Sequence, residues 1–109
     1  MPWQIDFFQT RRGDCPVKDF INKQDESTYA KIIHSIDLVK NNGILLRPPY
    51  VKKIRNNVWE LRISGKNAIR IFYCIFNNKF YFLHAFKKKT NKTPLKEIKI
   101  ALDRSINII

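Results

Sequence analysis

Apolar and polar side chains alternate along residues 59–64 of the chain. Successive side chains of a β-strand point to opposite faces of the sheet, so this alternation predicts a strand. Glu60 and Arg62, which are two residues apart, then share one face of that strand.

Two more strands are predicted directly after the first. Residues 68–76 are rich in β-branched and aromatic residues and contain Arg70 as their only charged side chain. Asn77 and Asn78 follow, and because Asn tolerates positive φ, the pair predicts a tight hairpin turn. A third apolar run covers residues 80–88, so residues 58–88 are predicted to form a three-stranded antiparallel meander.

The N-terminal part of the chain predicts one strand and two helices. Residues 3–8 alternate like the first strand of the meander and are expected to join its sheet. Pro16 suits the first position of a short helix, where its missing N–H costs nothing. A second helix is predicted to begin near Asp25 or Ser27, either of which can cap it, and to end at Asn42 and Gly43.

Three signals complete the pattern. Pro48 and Pro49 favour a connector, because proline neither continues a helix nor donates to a sheet. Residues 52–55, Lys-Lys-Ile-Arg, form a cationic edge, for which a solvated strand end and a phosphate contact both remain open. Thr93 can cap a last helix that begins at Pro94. We expect its frayed tail to cover residues 106–109.

The predicted order β-α-α-β-β-β-α is typical of an α+β fold. We expect a single domain over residues 1–109, with an antiparallel-rich sheet of about four strands. The N-terminal helical hairpin is predicted to pack on one face, and the C-terminal helix to lie at an edge or end of the sheet. Half of the sheet would then stay open, and this open face is where a functional site is expected.

Composition indicates a folded and strongly basic domain. Apolar residues make up 44% of the chain, and 21 Lys and Arg against nine Asp and Glu give a net charge of +12. This balance favours a polyanionic partner such as a nucleic acid, which would be bound with a salt-sensitive affinity. The alternative is a small basic protein that binds nucleic acid only incidentally.

Other function classes receive no support from the sequence. No apolar run approaches the roughly 20 residues that span a bilayer, and the first residues lack the pattern of a secretory signal. We therefore expect a cytoplasmic protein with no membrane partner. Cys15 falls in a predicted loop and Cys74 in a predicted strand, which suggests neither a disulfide framework nor a metal site. No metal or other cofactor is expected.

The charged residues of the meander have the types that cleavage of an RNA backbone needs. A base removes the proton of the 2′-hydroxyl, positive charge stabilises the phosphorane, and an acid protonates the leaving 5′-oxygen. Arg62 and Arg70, on strands joined by a short turn, can hold the phosphate through forked contacts. Burying Arg70 alone among apolar neighbours would be costly without a purpose or a partner.

Glu60 and His84 are candidates for the proton transfers, and each has a second interpretation. Glu60 either acts as a base or forms an ion pair with Arg62 or Arg70. His84 titrates near neutrality and is either an acid or base or a satisfied sheet histidine. Lys87 and Lys88 point to opposite faces if the strand continues, so only one of them is expected in the site.

Several segments resemble the phage-derived Gp49-like or HigB branch of the RelE/ParE toxin superfamily. They are VWELRISGKNAIRIFY, FLHAFKKKTNKTPLKEIKIA, CPVKDFI and RPPYVKKI, and they cover nearly the whole chain. The resemblance implies a RelE-like fold and a ribosome-dependent endoribonuclease that cuts mRNA in the ribosomal A site. It implies phosphate-binding or activating roles for basic residues of the meander, with two further catalytic candidates beside them: Arg62, Arg70, Lys87 and Lys88, then Glu60 and His84.

The resemblance also implies partners. It predicts the toxin of a type II toxin–antitoxin pair, neutralised by a HigA-like helix-turn-helix antitoxin, in a heterotetramer of two toxins and two antitoxins. Operator DNA would be bound only through the antitoxin, while the toxin itself meets the ribosome and mRNA. The basic residues expected to bind RNA are Lys52, Lys53, Arg55, Lys66 and Lys89. The alternative is a non-catalytic protein of the ParE type, which poisons gyrase or occludes nucleic acid.

Overall fold

The structure, a computed structural model, describes residues 2–108 of the chain. Its strands are β1 (Gln4–Phe7), β2 (Val51–Arg55), β3 (Val58–Ile63), β4 (Ile69–Phe76) and β5 (Lys79–Lys87). Its helices are α1 (Pro16–Asn22), α2 (Glu26–Asn42) and α3 (Leu95–Ile108), with a short 3₁₀ turn at Gly43–Leu45. The predicted α+β class is confirmed.

The strands form one sheet in the order β1-β5-β4-β3-β2, in which β1 runs parallel to β5 and the other neighbours are antiparallel. The predicted meander is confirmed as β3, β4 and β5. The expected number of about four strands was too low, because the cationic segment after the two prolines forms the edge strand β2. This strand is short, and its pairing with β3 is irregular between Lys53 and Arg55.

Local signals explain where the elements begin and end. The carboxylate of Asp25 accepts a hydrogen bond from the backbone N–H of Thr28 at 2.8 Å, which caps α2 as predicted. Gly43 follows α2 with φ of +53°, and a Cβ there would overlap the indole of Trp3, so both backbone and space require glycine. Asn77 and Asn78 both have positive φ in the predicted hairpin turn.

Each face of the sheet carries its own apolar core. The α1–α2 hairpin packs on one face, where Ile32, Ile36 and Val39 of α2 meet Leu61 and Ile71 of the sheet. This arrangement confirms the predicted position of the helical hairpin.

The other face is not open as expected, because α3 packs across part of it. Ile98 and Ala101 of α3 join Phe72, Cys74 and Leu83 in the second core. The C-terminal helix therefore lies on a face of the sheet, not at an edge or end, because its apolar stripe needs a partner. Any site on this face must lie beside α3.

The last helix is also longer than predicted. It continues through residues 106–108, so the expected fraying does not appear there, and Ile109 lies outside the described residues. Between residues 2 and 108, no helix combines the length and the apolar character needed to cross a membrane.

Candidate functional site

The register of β3 and β4 places two arginines side by side. Arg62 lies directly opposite Arg70, which confirms the expected proximity. Two cations in this position repel each other. Glu60, on the same face and diagonal to Arg70, places a carboxylate next to both. We refer to Glu60, Arg62 and Arg70 as the arginine cluster.

The carboxylate of Glu60 is the buried centre of the arginine cluster, with only 2% of the residue exposed. Its Oε1 lies 3.7 Å from Nε of Arg62 and 3.9 Å from Nε of Arg70. Its Oε2 accepts a hydrogen bond from the hydroxyl of Thr93 at 3.2 Å. Both oxygens are thus engaged by the protein, so the ion-pair interpretation of Glu60 agrees with the geometry.

Arg70 is nearly buried, with 8% of the residue exposed. One terminal nitrogen donates to the carbonyl of Ile69 at 3.0 Å. Its Nε is buried and, among the described residues, has no hydrogen-bond partner. Burial lowers the pKa of Arg70, Glu60 opposes this change, and Arg62 adds to it. Glu60 thus gives the buried guanidinium a counter-ion, with Nε 3.9 Å from its Oε1, but leaves this donor without a hydrogen bond among the described residues.

Arg62 and the neighbouring lysines give the arginine cluster an accessible side. The side chain of Arg62 is 36% exposed, so a ligand can reach it. Lys52 is exposed and lies opposite Glu60 on the same face. Lys87 pairs with Ile69 of the first core and therefore lies on the helical-hairpin face. The backbone N–H of Lys88 bonds Ala68, so the pairing continues and alternation places Lys88 with the arginines.

His84 is held in place by α3. Its Nε2 lies 2.8 Å from Oε1 of Glu97, and its ring stacks on Phe86 with centroids 5.8 Å apart. Burial lowers the pKa of His84, the bond to Glu97 opposes this change, and Arg104 adds to it. The net change favours the neutral imidazole.

The register relates His84 to the arginine cluster through Arg70. Arg70 pairs with Phe86 and Phe72 pairs with His84, so Arg70 and His84 are diagonal neighbours on one face. Such diagonal neighbours lie about 7–8 Å apart, with their Cβ atoms somewhat closer. From Glu60, however, His84 is separated by a full strand and the buried ring of Phe72. The two predicted proton carriers therefore lie on opposite sides of Arg70.

The predicted RNA-binding residues are spread over the surface. Lys53 lies on the helical-hairpin face with its ammonium 5.9 Å from the Trp59 ring centroid, and Arg55 and Lys89 are exposed. Lys66 instead bonds the carboxylate of Asp25 at 2.7 Å. That contact and the bond from Thr28 hold the pKa of Asp25 well below its ordinary value. Only Lys52 of this group lies next to the arginine cluster.

Two residues of this region were not predicted as part of a site. Thr93 was expected to cap α3, but its hydroxyl bonds Glu60, and the carbonyl of Pro94 accepts the first helical hydrogen bonds. Glu97 had no signal in the sequence, because its contact with His84 depends on where α3 packs. Among residues 2–108, no group of three or more His, Cys, Asp or Glu is arranged to hold a metal ion.

The fold and the arginine cluster define a basic α+β domain whose sheet carries a partly buried pair of arginines. Residues 19–105 match the family model described as Phage derived protein Gp49-like (DUF891). The chain belongs to this family, which is part of the toxin group of toxin–antitoxin systems and is associated with toxins of nuclease type. No curated protein matches the chain.

Proposed function

We propose that the protein is a toxin of the HigB branch of the RelE/ParE superfamily and acts as a ribosome-dependent endoribonuclease. The observation that carries this proposal is the pairing of the nearly buried Arg70 with the accessible Arg62 on one face of the sheet. Membership in a toxin family and the net charge of +12 support the same assignment.

The proposed reaction is an internal transfer at phosphorus. The 2′-oxygen of the mRNA attacks the adjacent phosphate, and a new P–O2′ bond forms as the P–O5′ bond breaks. The products are a 2′,3′-cyclic phosphate and a free 5′-hydroxyl. Arg62 and Arg70 bind the non-bridging oxygens, where negative charge grows in the transition state. Lys88 adds a further cation on this face, whereas Lys87 belongs to the RNA-binding surface.

Glu60 acts in this proposal as a positioning residue. Its carboxylate is buried, with Oε2 bonded by Thr93 and Oε1 at ion-pair distance from both arginines, so it is poorly placed to take a proton from substrate. Held between the two arginines, it fixes their guanidinium groups at the spacing that a phosphate requires. Glu60 therefore contributes through its charge and does not transfer a proton.

His84 is the proposed proton acceptor. Its lowered pKa keeps the ring neutral at physiological pH, as a base requires. With the Nε2 proton donated to Glu97, the Nδ1 lone pair remains to accept a proton. The same imidazole then returns a proton to the leaving 5′-oxygen. The Glu97 carboxylate stabilises the imidazolium between these two steps.

The remaining basic residues are proposed to hold the toxin on the ribosome. Lys52, Lys53, Arg55 and Lys89 are exposed and available to rRNA or mRNA phosphates. Lys66 joins them by exchanging its contact with Asp25 for a phosphate.

An antitoxin partner follows from membership in a toxin family. We propose that it is a HigA-like helix-turn-helix protein that binds operator DNA and forms a heterotetramer of two toxins and two antitoxins. A cytoplasmic location follows from the proposed ribosomal target.

Cleavage by purified protein on ribosomes programmed with a defined mRNA tests the proposal. The unchanged protein is expected to produce a 2′,3′-cyclic phosphate end, and Arg70→Ala to slow cleavage by about 10²-fold or more. Lys40→Ala, which removes an exposed cation of α2 away from the arginine cluster, is the control. Growth arrest without cleavage would instead favour a ParE-type protein that acts on gyrase or occludes nucleic acid.

A further inference from the structure

Apart from the arginine cluster, a basic cleft lies on the other side of the sheet from α3, between α2 and the start of β2. We call it the α2 cleft. It encloses a cavity of about 290 Å³, and the residues that matter here are Lys31, His34, Leu38, Tyr50, Arg62 and Ile63. This volume is near the lower end of the range, roughly 300–1,000 Å³, that is common for small-ligand sites. The α2 cleft therefore suits one small unit rather than a long segment.

The lining of the α2 cleft combines apolar and cationic groups. Leu38 and Ile63 give it apolar walls, and the ring of Tyr50 is available because 50% of that residue is exposed. Lys31 and His34 of α2 bring basic groups to the same cleft. Among the described residues that line it, none is acidic. A ligand that combines a flat ring with an anionic group matches these features.

The position of Lys31 has a structural cause. Gly65 has φ of +147°, and a Cβ added there would lie 2.6 Å from Nζ of Lys31. The ammonium of Lys31 thus reaches from α2 across to the turn after β3, through the space that a side chain would fill. A residue larger than glycine would displace this ammonium.

The α2 cleft and the arginine cluster meet at Arg62. This residue lines the α2 cleft, while its side chain contacts Glu60 on the face that α3 partly covers. The backbone N–H of Arg62 also bonds the carbonyl of Tyr50 at 2.8 Å, which ties the aromatic residue to β3. The α2 cleft and the arginine cluster therefore share Arg62.

We infer that the α2 cleft binds one nucleotide of an RNA strand, next to the nucleotides at the arginine cluster. The base stacks on Tyr50, and Lys31 and His34 contact the phosphate. Stacking on an aromatic ring beside cations is the usual means by which proteins bind single strands without reading their sequence. The choice of RNA as the ligand rests on the proposed function.

Binding of a labelled 2′-O-methyl RNA pentanucleotide tests this inference, because the blocked 2′-oxygen allows binding without cleavage. Fluorescence anisotropy at low salt is expected to show a Kd about tenfold higher for Tyr50→Ala, and nearly unchanged for Tyr50→Phe. Lys31→Ala is expected to weaken binding and to lower the slope of log K against log salt by about 0.7. Lys40→Ala, on the same helix outside the α2 cleft, should leave the Kd within about twofold.

Three results would overturn the inference: no measurable binding by the unchanged protein, an equal Kd for Tyr50→Ala, or equally tight binding of uridine monophosphate alone. The last result would identify a site for free nucleotides. The proposed nuclease activity is judged separately by cleavage with Arg70→Ala. If that variant still cleaves while Tyr50→Ala binds weakly, the α2 cleft remains an RNA subsite and the assigned chemistry fails.

Discussion

Arg70 has charged or aromatic neighbours on three sides of the same sheet face. Arg62 lies opposite on β3, Phe86 lies opposite on β5, and Glu60 is a diagonal neighbour. Burial makes its charge costly, and the Glu60 carboxylate offsets that cost only if it stays ionised and in place. The arginine cluster therefore behaves as one electrostatic unit, in which removing a member affects the others.

Glu60→Ala tests this dependence at the level of stability. Without the carboxylate, the buried guanidinium of Arg70 has no counter-ion, so the free energy of unfolding should fall by roughly 3–5 kcal/mol. Arg62→Ala is the matched control, because Arg62 is partly exposed and its loss should cost less than about 1 kcal/mol. Urea denaturation followed by far-UV circular dichroism measures both values. Similar small losses for the two variants would mean that Glu60 does not stabilise Arg70.

His84 makes stability depend on pH. Its pKa in the folded protein is lowered from 6.5, so the unfolded chain takes up a proton first as the pH falls. The stabilising contribution is thus fully present above pH 6.5 and is lost as the pH falls through the folded pKa.

Urea denaturation at about pH 8 and about pH 5.5 measures this effect. The unchanged protein should lose more stability between these conditions than His84→Gln, which cannot titrate there. Equal losses in the two proteins would show that burial does not lower the pKa of His84. The carboxylate of Asp25 does not interfere, because its pKa is itself lowered from 3.8 and titrates at far lower pH.

The sequence predicted the neighbours of a single hairpin better than contacts between distant elements. Arg62 and Arg70 were expected to meet because a short turn joins their strands. Thr93 and Glu97 reach their partners across 33 and 13 residues, respectively. Those contacts depend on the face that α3 covers, which local periodicity does not determine.

At the scale of elements, an irregularity in β5 also shows that local periodicity does not determine which face a residue occupies. Strict alternation would place Phe80, Phe82, His84 and Phe86 on one face. The structure places Phe80 and Phe82 in the first core, and Phe86 in the second. The register shifts between Phe72 and Tyr73, which leaves Leu83 as an extra residue in β5. This bulge directs both Leu83 and His84 toward α3, and no turn or proline signals it in the sequence.

Strand β2 was missed for a different reason. The two prolines predicted a connector, and residues 52–55 were interpreted only as a solvated strand end or a phosphate contact. Only Val51 of β2 is fully buried. An edge strand needs one apolar residue on the core side, while charges on the rest protect it from aggregation. The cationic edge and the extra strand are therefore the same segment.

Helix α3 is coupled to the arginine cluster through Thr93. Thr93→Val removes the hydroxyl that donates to the buried Oε2 of Glu60, which should cost about 1–3 kcal/mol of stability. If Glu60 positions the arginines, kcat on programmed ribosomes should fall while KM changes little. Thr93→Ser keeps the hydroxyl and should restore both the stability and kcat. A Thr93→Val protein with normal kcat would show that the bond between Thr93 and Glu60 does not affect the chemistry.

At the scale of the whole molecule, the acidic groups described above are engaged in contacts within the protein, whereas many basic side chains are exposed over the surface. These acidic groups each contact a few neighbouring residues: Asp25 caps α2, Glu60 supports the arginines, and Glu97 holds His84. Many of the 21 Lys and Arg stay exposed around them, which favours fast, salt-sensitive association with the phosphates of a ribosome. In the proposed function, charge brings the protein to RNA, and the arginine cluster acts on one phosphate.

Mapping mRNA 5′ ends in cells after brief induction tests this account most directly. The unchanged protein and Arg70→Ala are compared, each with translation running and with translation blocked. The account predicts new 5′ ends inside coding regions only for the unchanged protein and only during translation, when the two proteins are compared at equal levels of folded protein. Growth arrest without such ends, or the same ends in Arg70→Ala, would contradict it.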